Sequence, residues 1–343
     1  MESDAGQPRA LSNTRFEVPE WEGDVQLCPQ KHLTCVITVN YRGTRDTIAC
    51  INSLLQSTVP VQVVVVDTTP NDPELESGLA IAPNAVRLRA SENVGFGRGN
   101  NIGIEWVLKN SSCEYLFLLN NDAAVFSDSI KHLEDAMAIH PNVGIMAPRI
   151  AYLDDPATLW YGGGEIDWRR AGAVTPGYNG DVEASLAMTE RDVTFATGCA
   201  LFIRRSAVEK LGGFDPRFFM YEEDTELCLR ARDIGIRIRY IPKSLILHKV
   251  KGSSRGGGRG QDSFWSIDSK NLPFYAFHII RNRLLNAYLH AHGRQRFTVV
   301  VFFPLYLIRR MVPFLMGGRF DAVAGMIRGI FDFWRARPDN GNR

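Results

Sequence analysis

The sequence predicts an α/β protein with a mostly parallel central sheet flanked by helices and a C-terminal helical extension. Three observations carry this. Strand-like apolar runs alternate with helical periodicity from residue 33 to about 150, the pattern of βαβ units. Two of these runs, 61–67 and 115–122, are apolar for most of their length, as strands covered on both faces are. Each stops on a carboxylate, Asp67 and Asp122. Beyond residue 290 the chain turns to apolar, arginine-rich helix.

Residues 1–31 are polar with Pro and Gly, lack the apolar core of a signal peptide, and read as a flexible extension. The β-branched run 33–41 reads as a buried strand ending on Asn40 and Tyr41. A helix from Thr44 carries Ile48, Ile51, Leu54 and Leu55 at helical spacing and stops before Pro60. Residues 61–67 form the second strand, and 86–89 a short third. Gly95, Gly97, Gly99 and Gly103 lead into a helix through Ile104, Trp106, Val107 and Leu108. Their spacing matches neither a dinucleotide fingerprint nor a phosphate loop, but such glycines let a ligand approach the backbone. A strand at 115–119 comes after them, then a helix to His140 and a strand at 143–146.

Residues 151–192 are Gly-rich with Trp160, Tyr161, Trp168 and Tyr178, which suit sugar-stacking loops and a plain connecting hairpin equally. A strand at 195–203 and a short helix at 206–211 come next, and a further helix opens on Glu222, Glu223, Asp224 and Glu226. Residues 236–241 alternate as a strand with one wet face, and 245–248 is another, ending on His248. The composition of 252–260 is that of a mobile loop, and a helical run covers 274–289. Residues 297–308 give about a dozen apolar positions, short of the roughly 20 that span a bilayer. Arg309 and Arg310 interrupt that run, and Pro313, Gly317 and Gly318 break the stretch beyond it. Residues 319–337 form an amphipathic basic helix of the kind that lies in a membrane interface; packing on the protein's own core or a dimer partner is the alternative. The expected organisation is an extension at 1–31, a main domain at 32–290 (nucleotide-binding half 32–150, second half 151–290) and basic helices at 291–343.

The chain has 343 residues and a net charge of +1, so no global field points to nucleic acid. From Arg281 onward, 11 Arg against three Asp give a net of +8, a tail suited to an anionic membrane surface. Six scattered cysteines with no Cys-x-x-Cys pair fit a reducing cytoplasm better than a zinc site or disulfide framework. The carboxyl ends of parallel strands line the ligand crevice of an open α/β sheet. Asn120, Asn121 and Asp122 would therefore present oxygen ligands there, although the same tripeptide suits a turn capping the helix near Ser127. Four acids in five positions at 222–226 exceed what capping requires, and a general base is often presented this way. His248 is either structural or a ligand.

Seven blocks in order resemble the family 2 inverting glycosyltransferases, in particular the rhamnosyltransferase-like branch. They are Val39-Asn40-Tyr41, Asp67, Asn93-Val94-Gly95-Phe96 with Gly99-Asn100-Asn101-Ile102-Gly103, Leu118-Leu119-Asn120-Asn121-Asp122-Ala123, Gly212-Gly213-Phe214-Asp215 with 218–224, His248-Lys249 with Gly252-Ser253-Ser254, and Arg281-Asn282-Arg283. The resemblance covers about residues 33–290 and implies the GT-A (nucleotide-diphospho-sugar transferase) fold. It implies that Asp67 accepts the N3–H of a uracil or thymine, with Asn40, Tyr41, Asn93, Gly95, Phe96, Asn100 and Asn121 also lining the donor site. Asp122, supported by Asn120 and with His248 as a further ligand, would hold Mg2+ or Mn2+ on the donor diphosphate. Asp224 would be the general base, with Glu223 the second candidate. The implied reaction moves a sugar from a dTDP- or UDP-linked donor, dTDP-L-rhamnose or another such as a galactofuranosyl or hexosyl donor, onto a glycan or lipid-linked acceptor. The implied setting is peripheral, at the cytoplasmic face of the cell membrane. Asn120 in place of a leading Asp removes one charge from the metal motif, and Arg42 and Thr68 depart from the residues frequent in relatives. A sugar nucleotidyltransferase would need a Gly-rich basic loop after the first strand, for which Gly43 and Arg45 are too sparse. An inactive nucleotide-sugar-binding scaffold is the non-enzyme alternative.

Overall fold

A computed structural model describes residues 16–23, 32–69, 72–82, 85–250 and 265–337. The glycine-rich stretch at 252–260, with the block Gly252-Ser253-Ser254, lies outside the described residues, as do Cys28 and most of the expected N-terminal extension. Within that extension, however, Trp21–Gly23 forms a strand, β1, rather than loose chain.

The parallel half matches the sequence pattern closely: β2 (Thr34–Asn40), α1 (Thr44–Leu55), β3 (Val61–Asp67), α2 (Pro73–Leu79), β4 (Val86–Ala90), α3 (Phe96–Asn110) and β5 (Tyr115–Leu119). The β-branched runs of β2 and β3 are buried almost throughout because helices cover the sheet. Helix α2 is an addition to the expected elements. Asp72 caps it by accepting the Leu75 N–H, and Pro73 occupies its first turn. The second half holds β6 (Ala123–Val125), α4 (Ser129–Ile139), β7 (Val143–Tyr152), β8 (Leu159–Tyr161), β9 (Glu165–Asp167), β10 (Gly172–Val174), β11 (Arg191–Val193) and β12 (Ala200–Arg204). After these come α5 (Arg205–Leu211), α6 (Glu223–Asp233), β13 (Arg237–His248), α7 (Leu272–His290), α8 (Arg294–Met316) and α9 (Phe320–Ala336).

The main sheet runs β1-β4-β3-β2-β5-β12-β7-β13-β11, with β6 paired to β13 and β8 to β7. Strands β4, β3, β2 and β5 are parallel, as are β7 and β13. Between the two groups β12 is antiparallel to both β5 and β7. Strand β1 pairs antiparallel with β4 and covers its outer edge. The two strands expected at 236–241 and 245–248 are one, β13, with a register shift between Ile241 and Leu245. The Gly-rich aromatic region contains a small hairpin, β9 with β10.

The glycines before and within α3 serve packing. A Cβ at Gly99 would lie 2.8 Å from Val39 Cγ1 and one at Gly103 2.4 Å from Ile37 Cγ2, so these two let the helix lie flush on β2. The tail also differs from expectation. Helix α8 continues for 23 residues through Arg309, Arg310, Pro304 and Pro313, about 35 Å in length. It is the one described helix long and apolar enough to cross a membrane by length and composition. Phe303 and Phe314 pack inward, while Phe297, Val301, Leu305, Ile308, Val312 and Leu315 are exposed on the opposite face. Helix α9 spends its main apolar face on the protein instead. Ala322, Val323, Met326 and Phe333 are buried, and Gly325 and Gly329 bring it close to the Pro273 and Phe277 carbonyls of α7. Only the stripe Phe320, Ile327, Phe331 and Trp334 remains exposed.

Candidate active site

Strand β5 runs out into Asn120, Asn121 and Asp122, and each is held differently. The Asn120 N–H donates to the Cys199 carbonyl at 2.8 Å, tying this end to the turn that opens β12. Asn121 faces α1, its Nδ2 donating to Thr47 Oγ1 at 2.9 Å. Asp122 faces β13, with Oδ1 3.1 Å from His248 Nε2 and both side chains less than a tenth exposed. The pairing of β6 with β13 sets His248 opposite Ala123, which is how residues distant in sequence meet. Asn120 Nδ2 lies 3.5 Å from the same ring nitrogen, and Trp160 packs edge-on to the imidazole with 4.6 Å between centroids. His248 Nδ1 is buried without a hydrogen-bond partner among the described residues.

These atoms fit a divalent cation. Asp122 Oδ1 and His248 Nε2, 3.1 Å apart as a hydrogen-bonded pair, are donor atoms of the types that such an ion takes. A carboxylate, an imidazole and an amide suit Mn2+ at least as well as Mg2+. Among the described residues no group of three or more His, Cys, Asp or Glu converges on one point. The chain would therefore supply part of a coordination shell, and the other ligands would come from elsewhere.

Asp224 stands in the first turn of α6. Its Oδ2 accepts the Gly198 N–H at 2.9 Å and its Oδ1 the Thr225 N–H at 2.7 Å. Consecutive residues Gly198 and Cys199 thus hold the two halves of the site, one gripping Asp224 and the other the end of β5. Burial pushes the Asp224 carboxyl up to about 6; the Gly198 N–H opposes this and the nearby Glu222 charge adds to it. Glu223 is buried, and its Oε2 has no hydrogen-bond partner among the described residues. Burial, then the adjacent Asp224 charge, hold its carboxyl well above the usual range. Both carboxyls are thus raised by burial, and of the two only Asp224 is held, among the described residues, by a backbone N–H from outside its own helix.

The chain enters α6 through a strained corner. Tyr221 and Glu222 are both left-handed, with φ of 66° and 65°, a conformation that costs of order 1–3 kcal/mol per residue unless its surroundings fix it. Helix α7 fixes it. Asn282 Nδ2 donates to the Met220 and Tyr221 carbonyls at 3.0 and 2.7 Å, and Asn286 Nδ2 to the Glu222 carbonyl at 3.1 Å. Arg283 Nε donates to Glu222 Oε1 at 2.7 Å, and its Nη1 donates to Tyr306 Oη of α8 at 2.8 Å. Further along α6, Arg230 grips Glu226 through two bonds of 2.9 and 2.7 Å and also bonds the Leu211 and Gly213 carbonyls. Burial alone would raise the Glu226 carboxyl, but Arg230 and His290 hold it down at about 2.

The expected donor residues fall into two groups. Asn40 is fully buried, donating from Nδ2 to Asp67 Oδ1 at 3.0 Å and accepting from the Gly43 N–H and Thr47 Oγ1. Asp67 is 1% exposed and also accepts the Thr69 N–H at 3.0 Å and Arg87 Nη2 at 2.5 Å. A carboxylate expected to face a base is thus turned inward, with Arg87 as its counter-charge. Tyr41 is exposed beside this knot, with the Arg42 guanidinium 5.2 Å from its ring. In the second group, Asn93 Oδ1 accepts the Gly95 N–H at 3.1 Å, and Asn100 Nδ2 donates to the Phe96 carbonyl at 3.0 Å. Gly95 has φ of 84°, and a Cβ there would lie 2.2 Å from the Phe219 carbonyl oxygen, which also accepts the Phe96 N–H at 3.2 Å. A Cβ at Gly198 would lie 2.9 Å from the Phe96 ring. Phe96 therefore lies against the Gly198 turn that holds Asp224, with Asn93 and Asn100 fixing the backbone around it. A cavity of about 1060 Å³ opens beyond Arg87, between β1 and α2, but neither Asp122 nor Asp224 lines it.

No sequence motif pointed to Arg87, Gly198, Asn286 or Arg98, and Trp160 was one aromatic among several in a Gly-rich stretch. Arg98, half-buried in the first turn of α3, has an Nε without a hydrogen-bond partner among the described residues. The block Arg281-Asn282-Arg283 was the available signal for the grip of α7.

Comparisons with known proteins bear on the family and the fold. The sequence profile of Glycosyl transferase family group 2 matches residues 115–318, more than half of the chain. The N-acetylglucosaminyl-diphospho-decaprenol L-rhamnosyltransferase of Mycobacterium tuberculosis is 28% identical over 238 residues, 64% of this chain and 74% of that protein. The dTDP-rhamnosyl transferase RfbF of Shigella flexneri is 25% identical over 196 residues, 56% of this chain and 61% of that protein. Among solved structures, the mannosyltransferase of Pyrobaculum calidifontis in complex with GDP-Man and Mn2+ superposes with a TM-score of 0.52 at 13% identity. That match covers 92% of this chain and 90% of the other, and shows a shared fold.

Proposed function

Since the chain belongs to glycosyl transferase family group 2, a hexosyltransferase with the GT-A fold, we propose that it transfers L-rhamnose from dTDP-L-rhamnose to a lipid-linked glycan, with inversion. The observation that carries the reading is Asp224, a half-buried carboxylate raised to about 6 and held by the same turn that holds the end of β5. An Asp224 oxygen takes the proton of the acceptor hydroxyl as that hydroxyl attacks the anomeric carbon, and the bond to the diphosphate breaks on the opposite face. Two backbone N–H donors fix the carboxylate, so its orientation costs nothing at the moment of reaction. Glu223 is also buried and its carboxyl is raised, by burial first and then by the Asp224 charge, which makes it the second candidate for the base.

Asp122, His248 and Asn120 would hold a divalent cation. Such an ion, when bound, supplies Lewis-acid stabilisation of the leaving nucleoside diphosphate. Tyr41 and the Asp67–Arg87 pair stand at the strand ends where the base would dock, and Asp67 meets it only if Arg87 gives way. Rhamnose and the dTDP carrier are supported by the names of the two relatives, and a lipid-linked acceptor by the mycobacterial one. The exposed apolar face of α8, with Arg309 at its rim, supports seating at the cytoplasmic face of a membrane rich in anionic lipid.

The test is release of dTDP from dTDP-L-rhamnose with Mn2+ and an N-acetylglucosaminyl-diphospho-lipid. Acceptor-dependent release by the native protein, lost in Asp224→Asn, is the expected result. Release by both proteins equally would remove Asp224 from the reaction. No release from any dTDP- or UDP-sugar would favour a binding scaffold.

A further inference from the structure

We propose that Lys249, the residue after His248, is a second cation on the donor diphosphate: its ammonium leaves Asp46 and binds the departing group. This rests on the transferase reading above and adds a residue to the step in which the diphosphate leaves. Lys249 follows the last residue of β13, and its backbone N–H donates to the Asp122 carbonyl at 3.0 Å. Its Nζ donates at 2.9 Å to Oδ1 of Asp46, in the first turn of α1. The same turn holds the other neighbour of that carboxylate, because Thr47 Oγ1 accepts from Asn121 Nδ2 at 2.9 Å. Asp122, Lys249, Asp46, Thr47 and Asn121 thus form a closed ring of bonded residues next to the candidate cation ligands.

The pair is built to exchange. The Lys249 side chain is 44% exposed and that of Asp46 17%, and an ion pair so open to water is weakly held. A lysine is a compact charge with three rotatable donors, which suits phosphate oxygens as well as a carboxylate. Once released, the Asp46 carboxylate still sits in the first turn of α1, where the helix dipole favours a negative charge. The site also has use for the charge. Asp122 is the one acid of Asn120-Asn121-Asp122, and a single carboxylate holds a cation less firmly than two would. The protein's own positive charge then counts for more at the diphosphate. In the reaction, the bond from the anomeric carbon to the diphosphate oxygen breaks and its electron pair stays on that oxygen. The acceptor oxygen bonds to the carbon, and its proton goes to Asp224. The nucleoside diphosphate therefore leaves with one more negative charge than it carried in the donor. An ammonium already fixed beside Asp122 gains interaction energy as that charge develops, and keeps its own proton throughout.

The full-length protein and its Lys249→Met, Lys249→Arg and Asp46→Asn variants are titrated by calorimetry with dTDP and with dTMP in the presence of Mn2+. Lys249→Met is expected to bind dTDP at least about tenfold more weakly, the size of a lost charge-assisted bond. Its loss for dTMP, which lacks the second phosphate, is expected to be much smaller. Lys249→Arg keeps the charge and should recover most of the affinity. Asp46→Asn should bind dTDP at least as tightly as the native protein, because the ammonium then has no carboxylate to leave. A pair that only braces the fold would weaken dTDP alike in Asp46→Asn and Lys249→Met, and that outcome overturns the inference. So does native affinity for dTDP in Lys249→Met, or in Lys249→Gln should the Met variant not fold. In turnover, Lys249→Met should lower kcat with KM for the acceptor unchanged. A native protein that takes up neither dTDP nor UDP overturns this inference and the transferase reading together, whereas native binding with an unaffected Lys249→Met overturns this inference alone.

Discussion

Arg283 of α7 holds Glu222 by a 2.7 Å bond from Nε to Oε1, with both side chains about nine-tenths buried and Asp224 two residues further on. The Glu222 charge contributes to the raised Asp224 carboxyl, so Arg283 holds the corner and also pairs with one of the charges that act on Asp224.

Removing either partner should move the acid limb of the pH–rate profile in opposite directions. In Arg283→Ala the Glu222 charge loses its counter-ion, and the limb moves above about 6. In Glu222→Gln the charge is gone, and it moves below. A purely structural role for the pair would lower kcat without shifting the limb. Profiles of kcat against pH, with donor and acceptor saturating, distinguish the two.

Asp224→Asn should abolish transfer, by at least about a hundredfold, and stabilise the protein at neutral pH. The carboxyl is raised in the fold from an ordinary 3.8 to about 6. Between those values the native state holds a proton that the unfolded chain has lost, so stability falls as pH rises through the window. The Asn variant escapes this. Its advantage should be absent at about pH 3.5 and present at about pH 7.5, no larger than about 3 kcal/mol, as read from urea midpoints at the two pH values.

Glu226 has the opposite sign. Its carboxyl is held at about 2, so its pairing with Arg230 stabilises the fold above the usual carboxylate range, and that contribution is lost as pH falls toward 2. Replacing Arg230 with Met leaves a buried carboxylate without its partner and should cost about 3–5 kcal/mol at neutral pH. Arg230→Met combined with Glu226→Leu should recover most of that loss, a comparison made by thermal unfolding at constant pH.

Mn2+ affinity should depend on Asp122 and His248 together. His248→Ala and Asp122→Asn are each expected to weaken Mn2+ binding by at least about tenfold in the presence of nucleoside diphosphate, because each removes a ligand from a partial shell. Electron paramagnetic resonance of free Mn2+ reads this without reference to turnover. Unchanged affinity in both variants would place the ion elsewhere.

Much of this architecture is legible in the sequence because burial writes itself into apolar runs. Strands β2, β3 and β5 and helices α1 and α3 lie where their residue patterns indicate. The polar residues that end the strands, Asn40, Asp67 and Asp122, do stand at strand ends. Their use is less legible, because hydrogen-bond direction leaves no periodic trace. Asn40 and Asn121 prove to be clamps on α1, and Asp67 is closed by Arg87. Long-range pairing is also hidden. Nothing local in 200–204 announces an antiparallel strand between two parallel groups, and nothing in 21–23 announces an edge strand on β4. In the tail, prolines and arginines suggest breaks, yet α8 passes through Pro304 and Pro313, as helices do where a kink is tolerated. The exposed apolar surface expected of 319–337 lies largely on α8 instead, because α9 packs its broader apolar face on α7.

The insertion of β12 between β5 and β7 has a consequence for biosynthesis. When residue 119 leaves the ribosome, strands β4, β3, β2 and β5 are all present, but β5 has no partner on its far side until Ala200–Arg204 emerges. At about 5–20 residues per second that interval is on the order of 4–16 s. During it, a wholly apolar strand with unpaired N–H and C=O groups is open to any neighbouring chain. A chain truncated between residues 150 and 195 should therefore be far more prone to aggregate than its hydrophobic content suggests, and a nascent-chain chaperone would find its substrate along β5.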